Sequence, residues 1–150
     1  MIALNYIKYS QLKFTLRSLY TLALIKPDLY NQPKNVERVL DTINSRDDIK
    51  IVSKKEVYWS IDEAKSFYKE HDGKFFYDRL TSYMASAPFL ALVLEGDQVI
   101  TTWRKMIGNT RPDRAILSDP TTLRAHFGIT DTRNSFHGSG KLIFLYHYNY

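Results

Sequence analysis

Leu19-Tyr-Thr-Leu-Ala-Leu-Ile25, followed at once by Lys26-Pro27-Asp28, is the stretch on which the fold turns. Its β-favouring, mostly apolar run is short and continuous, which predicts a buried strand. Pro27 stops that strand and leaves Lys26 at its C-terminal edge, where α/β proteins favour sites. A second run, Phe89-Leu-Ala-Leu-Val-Leu94, predicts another fully buried strand. It is the longest apolar run in the chain and far too short to span a bilayer.

Between and after these strands the apolar spacing changes. Pro33 suits a helix first turn, and Val36, Val39, Leu40 and Ile43 then recur at helical spacing. After the polar break Asn44–Asp48, residues 49–59 read as a strand with a charged middle at Lys54-Lys-Glu56. Ser60-Ile-Asp-Glu63 has the pattern of a capping box and starts a helix whose inner face is Ala64, Phe67 and Tyr68. A further helix begins near Phe76, with Leu80, Tyr83 and Met84 on one side and Pro88 closing it. Val99, Ile100, Trp103, Met106 and Ile107 predict an amphipathic helix ending at Gly108. Residues 108–123 read as a long irregular loop with Pro112 and Pro120. Leu123–Phe127 reads as a short helical turn stopped by Gly128, and Asn134–His137 as a short strand. The order β-α-β-α-α-β-α-loop-β predicts an α/β (α+β) sandwich of the ferredoxin-like type: a four-stranded, mainly antiparallel sheet with helices packed on it.

A chain of 150 residues with 44% apolar and 25% charged residues suits one soluble domain. Cysteine is absent, which excludes disulfides and thiolate metal sites and fits a reducing compartment. The net charge of +5 and a pI near 9.3 point to an anionic partner. That charge gathers between residues 104 and 141, where Arg104, Lys105, Arg111, Arg114, Arg124, Arg133 and Lys141 face only Asp113, Asp119 and Asp131. The first 27 residues carry Lys8, Lys13 and Arg17 but no acid. This reads equally as a mitochondrial transit segment or as a short basic extension with no address, which would leave the protein in the cytoplasm. The chain divides into a basic N-terminal extension (1–18), a folded domain (19–139) and a tail (140–150).

The chemistry concentrates in Arg124-Ala-His-Phe-Gly-Ile-Thr-Asp-Thr-Arg-Asn-Ser-Phe-His-Gly-Ser139. His137 lies beside Gly138, with an amide and guanidinium groups close in sequence. A neutral imidazole is a nucleophile, and phosphate is the anion that arginine and backbone N–H groups hold best. These residues predict a phosphotransferase in which His137 is phosphorylated.

Several pieces together resemble the nucleoside diphosphate kinase family. They are Ala23-Leu-Ile-Lys-Pro-Asp28, Phe67-Tyr-Lys-Glu-His71, Phe75-Phe76, Trp103-Arg104, Gly108-Asn-Thr110, Leu123-Arg124 and Thr132-Arg-Asn-Ser-Phe-His-Gly-Ser139. Phe-Gly-Ile-Thr-Asp-Thr-Arg-Asn resembles the divergent animal branch (group II, mitochondrial-type). The resemblance implies ping-pong transfer of the γ-phosphate of ATP or another nucleoside triphosphate to nucleoside diphosphates, through phosphohistidine at His137. It implies that Lys26, Arg104, Thr110, Arg124 and Asn134 hold phosphates and ribose, and that Phe76 stacks on the base. Tyr68 and Ser139 would shape the site. Mg²⁺ would enter with the phosphates rather than on protein ligands. Family members often form homo-oligomers.

After Ser139 the resemblance stops. The family continues with a helix carrying a glutamate that bonds the imidazole; this chain reads Gly140-Lys-Leu-Ile-Phe-Leu-Tyr-His-Tyr-Asn-Tyr150, with no Asp or Glu after Asp131. An imidazole without its orienting carboxylate predicts reduced turnover. The alternative reading is therefore a weakened nucleotide-binding or regulatory member. A third, a nucleic-acid-binding module, fits the charge but lacks the aromatic strand motif of RNA recognition. Cations around His137 lower its pKa, and activity is expected to fall in mild acid.

Overall fold

The computed structural model describes residues 19–142. The extension assigned to residues 1–18 and the tail from 143 onward lie outside them. Strand β1 (Tyr20–Ile25) is buried along its whole length. Its alternating side chains feed two cores. Ala23 and Ile25 join Val39, Ile43 and Trp103, whereas Leu22 and Leu24 join Trp59, Ala64 and Met84. A strand covered on both faces favours apolar residues throughout, and here only the buried Thr21 departs from that, so no polar alternation shows.

Pro27 ends β1 by starting the single turn α1 (Pro27–Tyr30), and Pro33 occupies the first turn of α2 (Pro33–Asn44). Proline suits both places, where the missing N–H would have no helical partner. Strand β2 (Lys50–Val57) follows. Ser60 then caps α3 (Ile61–Phe67): its hydroxyl accepts from the Glu63 N–H, and the Glu63 carboxylate accepts from the Ser60 N–H. A 3-10 turn (Lys69–His71) leads to α4 (Tyr77–Met84) and β3 (Phe89–Glu95). The chain continues through α5 (Val99–Ile107), α6 (Pro112–Ser118) and α7 (Leu123–Phe127) to β4 (Phe136–Gly138).

The sheet order is β2-β3-β1-β4, and every neighbouring pair is antiparallel. The expected ferredoxin-like α+β architecture is thus observed. β1 pairs with β3 from Tyr20↔Glu95 to Ile25↔Leu90 and with β4 through Leu24↔His137. That last register brings His137 and β4 beside Lys26. Gly138 permits the approach, since a Cβ there would lie 3.0 Å from Ile107 Cδ1 and 3.2 Å from Trp103 Cδ1.

Three local expectations change. The strand expected over 49–59 is Lys50–Val57; Trp59 leaves it to fill the second core. The loop expected over 108–123 contains α6, started by Pro112 and anchored by the buried Ala115. The strand expected over Asn134–His137 begins two residues later, at Phe136, because Ser135 adopts φ 67°, outside the β region. Among the described residues, no helix is long and apolar enough to cross a membrane.

Candidate active site

A cleft of about 1640 Å³ opens where the C-terminal end of β1 meets β4, the end of α5 and the loops around α4 and α7. Every residue singled out from the sequence lines it: Lys26, Tyr68, Phe76, Arg104, Thr110, Arg124, Asn134, His137 and Ser139.

The half-buried His137 imidazole meets the edges of Phe67 and Tyr68, with ring centroids 5.1 and 5.8 Å away. Its carbonyl accepts from Trp103 Nε1 at 3.0 Å. Burial pushes its pKa down to about 3, helped by the charges of Lys26, Arg124, His71 and Arg104. The free imidazole is therefore held neutral into mild acid. The direction of the shift was foreseen; its size comes chiefly from burial.

Lys26 is buried and donates to Asn134 Oδ1 at 2.8 Å and to the Thr132 carbonyl at 3.4 Å. Burial, then the Arg124 charge, lowers its pKa to about 7, against the pull of Asp28 and Asp131. Arg124 donates to the carbonyls of Gly108 (2.8 Å) and Phe136 (2.9 Å), and its buried Nε has no partner. Burial and the neighbouring Arg104 charge lower its pKa to about 10, so it remains a cation. Gly108 stands at φ 78° against the Thr122 side chain, a position no larger residue fits.

Asn134 lines the cleft and also braces it from within. Its Oδ1 accepts from Lys26, and its Nδ2 donates to the Thr110 and Asp131 carbonyls, both at 3.0 Å. The amide ties three segments together. Thr110 contributes its carbonyl to this tie and leaves its side chain exposed. Ser139 Oγ donates to the Lys141 carbonyl at 3.2 Å and accepts from its N–H at 3.1 Å. The buried Tyr68 hydroxyl has no partner and lies in the cleft wall.

Two cleft residues were not singled out. Phe75 is 90% exposed, whereas Phe76 packs against the second core. The adjacent rings stand edge to face at 88°, and both line the cleft. His71 stacks on Tyr68 with centroids 6.1 Å apart, and its buried Nδ1 has no partner. Both residues lay within quoted motifs, but spacing does not say which neighbour faces solvent.

A neutral imidazole among cations, in a cleft also lined by phenyl rings, makes this the cleft of a phosphoryl-transfer enzyme. Comparison with known proteins agrees. The family model described as nucleoside diphosphate kinase matches residues 20–142. Nucleoside diphosphate kinase 6 of Danio rerio is 42% identical over 122 residues, covering 81% of this chain and 69% of that protein. Its Homo sapiens counterpart is 43% identical over 123 residues, covering 82% and 66%. The chain thus spans about two thirds of the length of these animal relatives. A nucleoside diphosphate kinase of Saccharolobus solfataricus is 36% identical over 122 residues, covering 81% and 85%. Among solved structures, the Aquifex aeolicus nucleoside diphosphate kinase superposes with a TM-score of 0.77 at 30% identity, covering 83% of this chain and 86% of that one. A Halobacterium salinarum nucleoside diphosphate kinase in complex with CDP gives 0.72 at 28% identity, covering 80% and 76%. This chain belongs to the nucleoside diphosphate kinase family, a family of phosphotransfer enzymes. Its likeness to the animal kinase-6 proteins fits the divergent animal branch.

Proposed function

We propose that this chain is a nucleoside diphosphate kinase that moves the γ-phosphoryl group of ATP and other nucleoside triphosphates to nucleoside diphosphates through phosphohistidine at His137. The observation that carries the reading is the neutral His137 imidazole among Lys26, Arg104 and Arg124 in one cleft. In the first half-reaction an imidazole nitrogen lone pair attacks the γ-phosphorus, and the bond to the β-phosphate oxygen breaks. The diphosphate leaves. In the second, the terminal oxygen of another diphosphate attacks the same phosphorus and the N–P bond breaks.

Such a transfer needs positioning and charge neutralisation more than acid–base chemistry. Lys26 supplies a compact charge held by Asn134, and Arg124 a planar fork anchored by two carbonyls. The exposed Arg104 supplies a further cation at the end of α5. Base stacking is assigned to Phe76, which lines the cleft and is braced by the second core, with the exposed Phe75 beside it. Stacking tolerates every base, since each has a π face. Of the cleft carboxylates Glu70, Asp113 and Asp131, the two aspartates are paired with Arg111 and Arg79, and among the described residues no cluster of three metal-ligating side chains forms, which fits Mg²⁺ carried by phosphate oxygens and water rather than by a protein cage. When bound, Mg²⁺ would neutralise phosphate charge.

The test is incubation with γ-labelled ATP and Mg²⁺ beside a His137→Asn control. Acid-labile, base-stable label on the parent alone, discharged by added nucleoside diphosphates, is the expected result. Nucleotide binding without label would make the chain a regulatory binding member instead.

A further inference from the structure

The Lys26-Pro27-Asp28 corner grips the residue that sits between Asn134 and β4. The Phe136 N–H donates to the Asn134 carbonyl at 2.8 Å, and Ser135 between them stands at φ 67°. This is a three-residue γ-turn of the positive-φ kind, a rare and strained conformation for a residue with a side chain. Ser135 is fully buried. The Lys26 N–H donates to its carbonyl at 2.8 Å. Its hydroxyl lies 2.9 Å from Asp28 Oδ2 and 3.0 Å from the Phe127 carbonyl. It has one proton to give, and the charged acceptor is the stronger.

Asp28 is itself held. Its second oxygen accepts from the Tyr83 hydroxyl on α4, and its N–H donates to the same Tyr83 oxygen at 3.0 Å. None of Asp28, Tyr83 and Ser135 lines the cleft. They lie behind it and fix the backbone of the segment that carries its working groups. Asn134, just before the turn, fastens Lys26. The Phe136 carbonyl, just after it, anchors Arg124, and His137 follows. Relaxation of the turn would swing all three at once.

We propose that Asp28, aimed by Tyr83, is a positioning residue that holds Ser135 in its strained turn and so sets the His137 and Lys26 side chains for phosphoryl transfer. The proposal rests on the reading of His137 as the nucleophile.

Glycine provides the test, because it adopts φ near +67° without help. The rate of His137 phosphorylation by ATP is measured for Asp28→Ala made alone and made on top of Ser135→Gly. Alone, the change is expected to slow phosphorylation at least about tenfold, as displaced reacting groups do. On the Ser135→Gly background it should cost no more than about threefold. Equal losses in both backgrounds would mean that Asp28 acts through its charge on Lys26, and would overturn the proposal. If Asp28→Ala fails to fold by thermal melting, Tyr83→Phe is carried through the same cycle, with a smaller loss on the parent and none on Ser135→Gly.

A second readout does not depend on catalysis. Amide NMR signals of residues 134–137, without nucleotide, should shift on Asp28→Ala in the parent and stay put on the Ser135→Gly background. Unmoved signals in the parent would remove the idea. A parent that takes no label, yet shows these shifts, would instead sink the kinase reading and leave the turn-holding contact standing.

Discussion

His137 and Lys26 both have their proton equilibria moved by burial, with opposite consequences for the chemistry. The histidine is held neutral, with a pKa near 3, and so is ready to attack without losing a proton first. Its ring signals should not titrate between pH 7.5 and 5 in the nucleotide-free protein; an NMR titration midpoint near the ordinary value of about 6.5 would contradict this. The linkage has a definite sign. The unfolded chain takes up this proton near the ordinary value and the folded one only near pH 3, so acid weakens the fold across that window. Denaturant titrations should show His137→Gln losing less stability than the parent between those limits. Lys26, with a pKa of about 7 in the free cleft, is poised between its two forms. Phosphate favours the charged one, so binding of ADP near pH 7.5 should take up a substantial fraction of a proton. Calorimetry in buffers of different ionisation enthalpy reads that uptake. Lys26→Arg, always charged, should abolish it.

At the scale of elements, local chemistry was legible wherever neighbours in sequence supply the partners. The Ser60–Glu63 capping box is complete within four consecutive residues, and the pattern alone placed the start of α3. Ser60→Ala should destabilise the protein by about 1 kcal/mol in a denaturant titration, with little change in nucleotide affinity. The helix α6 was missed for the opposite reason. Pro112 and Pro120 read as loop punctuation, yet Pro112 is an N-terminal helix residue, and the helix packs through the buried Ala115. Within Phe75-Phe76, which ring is exposed was not legible for a related reason. Burial of Phe76 depends on residues of β1, β3 and α3 that join the second core, and no spacing within the pair expresses that.

Across the whole molecule, the central strands β1 and β3 carry both cores, and their stability should reflect it. Leu92 on β3 is fully buried in the first core, and Leu92→Ala should destabilise by about 2–5 kcal/mol in denaturant unfolding. The loss should appear as a lower midpoint, because the cavity lies away from the cleft. The amino-acid sequence by itself determined the all-apolar strands, the helix starts, the α+β order and the Asn-x-x-His-Gly-Ser motif, because these follow from period, proline placement and residue type. Tertiary structure alone decided which groups meet. Lys26 and Asn134 bond across 108 positions, and Asp28 and Ser135 across 107. The depth of the His137 shift was settled the same way, since desolvation depends on what folds over the ring. Contacts of that range arise only when antiparallel pairing of β1 with β4 closes the chain on itself. No local pattern encodes that closure.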